Sequence, residues 1–213
     1  MRIVDCIQGS PEWHAARAGR VTASRISDLT AKTKTGWGAS RANYLAELVA
    51  ERLTGTVAEG FSNAAMKWGT EMEPEARSAY QFMRDAEVEP VGFVIHPSIE
   101  MSGASPDGLI GTDGLIEVKC PNTATHIETL LSEEIPEKYI KQMQWQMRCT
   151  GRAWCDFVSY DPRLPARMQL FVSRVNADPA MQSEIEAHVS AFLLEVEATV
   201  SALSNKFNLK EAA

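Results

Sequence analysis

Helical periodicity dominates both ends of this chain, and strand-like alternation occupies its middle. Near the start, Ser10 and Pro11 read as the N-cap and first residue of a short helix reaching about Ala18. Thr22, Ala23 and Ser24 offer a cap for a second short helix. Ser40 can cap a longer one, with Tyr44, Leu45, Leu48, Val49 and Leu53 on one face and Gly55 at its end. Residues 63–84 continue the helical pattern through Trp68, Met72, Ala76, Ala79, Tyr80 and Met83, and Pro74 predicts a kink or restart near Glu73. The period then shortens: 87–96, 101–110 and 114–119 are short, carry Val, Ile and Leu between Pro, Gly and Asp turns, and predict three successive strands. Helices are predicted at 123–133 and 137–149, and strands at 153–160 and 168–175 around the turn Asp161-Pro162-Arg163. A last helix over about 178–206 carries Met181, Ile185, Val189, Phe192, Val196, Val200 and Leu203 as one stripe. The order predicts a single mixed α/β (α+β) domain over 1–213, with a central mixed sheet of about five strands flanked by helices.

Composition changes this picture little. The chain has 213 residues, 45% hydrophobic and 23% charged, enough apolar material for one buried core. A signal peptide is not expected, because no basic segment and apolar run open the chain, and no stretch approaches the roughly 18 apolar residues of a membrane span. The four cysteines, Cys6, Cys120, Cys149 and Cys155, form no Cys-x-x-Cys pair, so buried thiols in a reducing compartment fit better than zinc. The histidines 14, 96, 126 and 188 lack metal or triad spacing, and no Gly-rich phosphate loop indicates ATP use. A net charge of −7 argues against a protein that coats nucleic acid nonspecifically. It leaves a nuclease open, since such an enzyme combines a local basic lining with acidic metal ligands.

Chemistry concentrates in Ser105-Pro106-Asp107-Gly108 and Glu117-Val118-Lys119. Strand residues two apart share a face, so Glu117 and Lys119 point together while Val118 points to the opposite core. A hairpin turning through residues 111–114 would bring Asp107 beside Glu117. Two carboxylates and the Val118 carbonyl are hard oxygen donors suited to Mg²⁺. Lys119 beside them can orient or help deprotonate an attacking water, or stabilise charge on a phosphoryl transition state. Each fragment alone also reads as a turn or a cross-strand ion pair. Together their spacing matches the Pro-Asp…Glu-x-Lys motif of restriction-endonuclease-like nucleases.

Further motifs accompany the metal set in order: Trp13-His14-x-x-Arg17, Val21-Thr22-Ala23-Ser24, Trp68-Gly69-x-x-x-Glu73, and Tyr139-x-x-Gln142-x-Gln144. With Tyr160-Asp161-Pro162-Arg163, the series resembles the phage lambda exonuclease family, the YqaJ-like viral recombinases, from about Gln8 to Pro162. The resemblance implies a restriction-endonuclease-like core at about 63–175, with helices of 10–55 contributing a DNA-end pocket. It implies that Asp107, Glu117 and the Val118 carbonyl hold Mg²⁺, with Mn²⁺ able to substitute, and that Lys119 acts on the water. Glu73 matches an acidic helix residue that supports a second metal ion or positions the nucleophile; read alone, it is a capping or exposed acid. Gln142 matches a glutamine that reaches the catalytic centre; on a core helix it would be a backbone-bonded amide. Arg17, Ser24 and Ser105 match a pocket for the 5′-terminal phosphate, and a guanidinium with two hydroxyls is a sensible anion site.

The family implies 5′-to-3′ digestion of one strand of double-stranded DNA from a 5′-phosphorylated end, giving mononucleotides and a 3′ overhang. It further implies a ring-shaped homotrimer, a single-strand annealing partner, and phage or prophage recombination in a bacterial cytoplasm. Two rival readings stay open on the residues alone. One is an endonuclease on the same metal site; the other is a non-catalytic DNA-binding recombination scaffold.

Overall fold

The computed structural model describes residues 1–34, 36–57 and 64–209. In chain order the elements are β1 (Arg2–Val4), α1 (Pro11–Arg17), β2 (Val21–Thr22), a 3₁₀ turn (Ala23–Arg25) and α2 (Ile26–Leu29). Next come β3 (Lys32–Thr33), β4 (Gly36–Trp37), α3 (Ala39–Thr54), α4 (Ala64–Arg84), β5 (Phe93–Ile95) and β6 (Ser102–Ala104). The chain continues with β7 (Gly108–Ile110), β8 (Gly114–Lys119), α5 (Thr123–Ser132), α6 (Glu137–Thr150), β9 (Trp154–Tyr160), β10 (Leu170–Asn176) and α7 (Pro179–Phe207).

Among the described residues the strands form two four-stranded mixed sheets and a small β3–β4 hairpin, rather than one sheet of about five. One sheet runs β10-β9-β8-β7, with β8 and β9 parallel and both outer pairs antiparallel. The other runs β1-β5-β6-β2, with β2 parallel to β6. Two sheets arise because the expected strand at 101–110 divides into β6 and β7. Pro106, which lacks an N–H for a ladder, falls between them. An isolated bridge between Glu89 and Leu109 ties β7 to the segment leading into β5, with mutual backbone hydrogen bonds of 2.9 and 2.8 Å.

Strand β8 separates two cores by its alternation. Leu115 faces the larger core with Tyr44, Trp145, Phe157 and Phe192, whereas Ile116 and Val118 face a second core with Ala76, Tyr80 and Val158. Helix α4 covers that second side and α6 and α7 the first. The stripe expected on the last helix is real: Ile185, Val189, Phe192 and Val196 are buried, with Met181, Val200 and Leu203 packed at its margins. Full burial of each such side chain contributes about 1.5–3 kcal/mol.

Local expectations fare unevenly. Ser10 caps α1 by accepting from the Trp13 N–H, and Gly55 ends α3 in the left-handed conformation at φ 70°. Ser40, however, lies inside α3, whose N-cap is Gly38, and Thr22 makes no side-chain cap bond to the 3₁₀ turn. Pro74 sits inside α4 without a restart; residue 63 of that expected helix lies outside the described residues. Phe82 and Met83, by contrast, are exposed at its far end.

Candidate active site

The β7–β8 hairpin sets the geometry. Its register pairs Gly108 with Ile116, Leu109 with Leu115 and Ile110 with Gly114, so Asp107 follows directly beside Glu117. Gly108 is required by close packing: a Cβ there would lie 2.2 Å from Val88 Cγ1. The hairpin end is further fixed by the Val118 N–H, which donates to Asp107 Oδ2 at 2.6 Å. Glu117 is buried, 1% exposed, and faces α6 with Lys119, whose ammonium donates to Glu117 Oε1. The Lys119 ammonium also lies 5.2 Å from the Tyr139 ring. Three of the sequence-predicted residues are thus brought together on one hairpin.

Electrostatics shows what this cluster lacks. Burial raises the Asp107 carboxyl well above its ordinary pKa, and Glu117 adds to this; Lys119 opposes it, and Glu73 raises it further. Burial works against the Lys119 ammonium, but Glu117 and Asp107 outweigh it and hold that lysine above its ordinary value. One ammonium therefore faces two carboxylates in a poorly solvated place. A divalent cation is the natural complement, and the donors present are of the hard-oxygen kind it prefers. Among the described residues no group of three or more His, Cys, Asp or Glu side chains forms a metal-holding set. The fit therefore rests on two carboxylates with a backbone carbonyl.

Helix α6 supplies the rest of the Glu117 environment. Gln142 donates to Glu117 Oε1 at 2.6 Å, which places its amide against the acidic pair. Gln146, one turn further along, donates to Glu117 Oε2 at 2.5 Å and is fully buried. Gln146 has no role in the sequence reading; its i,i+4 spacing from Gln142, which puts the two on one helical face, was the available signal. Gln144 does something different: it donates to Asn176 O at 2.8 Å and accepts from the Asp178 N–H at 2.9 Å, tying α6 to the turn before α7.

Glu73 stands apart from the pair but lines the same cleft. Its carboxylate is ion-paired to Arg77 at 2.5 Å. The cleft, about 1350 Å³, is lined by Asp107 and Glu73, by Trp13 and His14 of α1, and by residues 89–92. Trp13 joins two of the three expected phosphate-pocket residues: its indole N–H donates to Ser105 Oγ at 2.8 Å, and the Arg17 guanidinium stacks on its ring at 4.0 Å. Burial lowers the Arg17 pKa below its ordinary value, with Tyr44 and Glu51 opposing the shift, and among the described residues its guanidinium makes no hydrogen bond or ion pair. The parallel β2–β6 pairing carries Ser24 and Ser105 past the same sheet end. Ser24 is exposed there, with its Oγ 3.5 Å from Thr22 Oγ1, and no hydrogen bond among the described residues joins it to Arg17 or Ser105.

A mixed-sheet core that presents Asp107, Glu117 and Lys119 on one hairpin, with an amide helix behind them, defines a nuclease of the restriction-endonuclease-like type. Comparison with known proteins narrows the class. Residues 12–153 match the YqaJ-like viral recombinase domain, more than half of the chain, and the protein belongs to that family. The alkaline exonuclease LHK-Exo from Laribacter hongkongensis is 55% identical, over 93% of this chain and 98% of that one, with a TM-score of 0.88. LHK-Exo in complex with dAMP matches to the same extent. A phage related exonuclease from Haemophilus somnus 129PT, 16% identical over 87% of this chain and 96% of that one, shares the fold with a TM-score of 0.72. Comparison with curated proteins gives no significant match. The resemblance read from the motifs is borne out, and the chain is a phage-type exonuclease of a metal-dependent kind.

Proposed function

We propose that the protein is a Mg²⁺-dependent exodeoxyribonuclease that digests one strand of double-stranded DNA from a 5′-phosphorylated end, 5′ to 3′, leaving a 3′ overhang. The observation that carries this reading is the gathering of Asp107, Glu117 and Lys119 on one hairpin, with Asp107 also lining a cleft shared with Trp13, which itself holds Arg17 and Ser105. The dAMP bound by LHK-Exo is consistent with a mononucleotide product.

Asp107, Glu117 and the Val118 carbonyl would hold the cation, with Glu73 positioned to support a second. A cation bound there supplies Lewis-acid polarisation of the scissile phosphate and lowers the pKa of the attacking water. The water oxygen attacks phosphorus, the P–O3′ bond of the terminal nucleotide breaks, and O3′ leaves as a hydroxyl after taking a proton. A nucleoside 5′-monophosphate departs and the shortened strand carries a new 5′ phosphate. Lys119, favoured as the ammonium, orients the water and stabilises charge growing on the phosphoryl oxygens. Gln142 steadies Glu117. Arg17, Ser24 and Ser105 receive the terminal 5′ phosphate, where a guanidinium with no hydrogen-bonded carboxylate can pair with it.

A homotrimeric ring, a single-strand annealing partner and recombination in a bacterial cytoplasm complete the reading. They rest on the family and not on any contact within this chain. No described helix is long and apolar enough to cross a membrane. The test compares linear duplexes that differ only in 5′ phosphate or 5′ hydroxyl, end-labelled, with Mg²⁺. Faster release of mononucleotides from phosphorylated ends supports the proposal. Equal digestion of both, or cutting of closed circular DNA, would show an endonuclease or an end-blind enzyme instead.

A further inference from the structure

We propose that Gln146 is a positioning residue that aims Glu117 at the metal ion. The inference rests on the metal site proposed above. An ionised carboxylate offers about four acceptor sites, two on each oxygen. On Glu117, Lys119 and Gln142 take both sites of Oε1, and Gln146 takes one of the two on Oε2. Among the described residues, one site on Oε2 is left. Because Glu117 is 1% exposed, water does not compete freely for it. The bond from Gln146 fixes which way that remaining lone pair faces, and so where a cation must sit to use it.

A second observation shows that the Gln146 amide is matched to the carboxylate rather than to the fold. Gln146 Oε1 is buried and has no hydrogen-bond partner. Neutral packing gives no reason to prefer this orientation of the amide. Turned over, it would set its oxygen against an anion, so the charge of Glu117 holds its N–H inward. Gln144, two residues away on the same helix, is the contrasting case, with both ends of its amide bonded to neighbouring structure.

Outer hydrogen bonds of this kind alter metal affinity about 10-fold to 100-fold when removed. The test measures Mn²⁺ binding to the DNA-free full-length protein by electron paramagnetic resonance, which counts free ion, alongside thermal melting in chelator. Gln146→Met keeps the volume and removes both the donor and the orphaned oxygen. Gln146→Asn keeps an amide too short to reach Oε2, and carries the comparison should Gln146→Met not fold. Both variants are expected to bind Mn²⁺ at least about tenfold more weakly than wild type, while melting within a few degrees of it. Gln144→Met is expected to melt lower and bind Mn²⁺ as wild type does. Wild-type Mn²⁺ affinity in the Gln146 variants, or an equal loss in Gln144→Met, overturns the assignment. The metal site itself is tested by Glu117→Ala: if it binds Mn²⁺ as wild type does, the site has been misplaced, and the role of Gln146 falls with it.

Discussion

The cluster should be a place where stability has been given up for function, and Asp107→Asn is the direct way to see it. Asp107 is pushed well above its ordinary pKa by burial and by Glu117, so its ionised form is disfavoured in the folded protein. In the unfolded chain the same carboxyl titrates at about 3.9. Between those two values the native state holds the extra proton, and stability falls as pH rises toward the folded value. Above the folded value the penalty is complete. Asparagine removes the charge, yet its carbonyl oxygen can still accept from the Val118 N–H that now bonds Asp107 at 2.6 Å. A single charge-relieving substitution is commonly worth about 0.5–2 kcal/mol. For a chain of this size each kcal/mol moves the melting temperature by about 2–4 °C, so a rise of about 1–8 °C is expected. The assay is thermal melting of both proteins in chelator from acid to mildly alkaline pH. Asp107→Asn should melt higher at alkaline pH, with the gap closing toward acid, and Mg²⁺ should stabilise wild type alone. A variant that melts lower than wild type at alkaline pH without metal would refute the electrostatic reasoning.

Two further substitutions probe other links. Arg17→Ala removes the cation stacked on Trp13; loss of a charge-assisted bond of about 1.5–3 kcal/mol should reduce the preference for 5′-phosphorylated over 5′-hydroxyl ends by about tenfold to a hundredfold, read as the ratio of initial digestion rates. An unchanged ratio would remove Arg17 from the phosphate pocket. Arg41 clamps α3 to α7 through a two-pronged bond to Glu195 at 2.8 and 2.7 Å. Arg41 is 7% exposed and Glu195 47% exposed, so Arg41→Met should cost about 2 kcal/mol, between an exposed pair and a buried one. Denaturant melts would show this, and no loss would mean that Glu195 recovers its hydration fully.

Much of this fold was legible because burial follows period. The α7 stripe and the β8 alternation each follow from one element meeting one core, and the hairpin through 111–114 follows from its turn residues. The cap of α3 was misjudged by local chemistry: Ser40 is a good cap residue, but Gly38 is where the chain enters the helix. The break between β6 and β7 was missed although Ser105-Pro106-Asp107-Gly108 is itself a turn sequence, and Pro106 cannot donate to a ladder. Within the site, Asp107, Glu117 and Lys119 were visible because they lie on one hairpin. Gln146 and the bond from Trp13 to Ser105 were not, since they join residues 29 and 92 positions apart. Such contacts depend on how helices lie against sheets, and no local spacing records that.

The most direct measurement compares wild type with Lys119→Ala on end-labelled linear duplex in Mg²⁺, following both cleavage and duplex binding. Loss of this ammonium should slow release of mononucleotides by about a hundredfold to a thousandfold, as loss of one donor to a developing oxyanion does, while duplex binding stays close to wild type. Cleavage by Lys119→Ala at the wild-type rate would contradict the account and place the chemistry elsewhere.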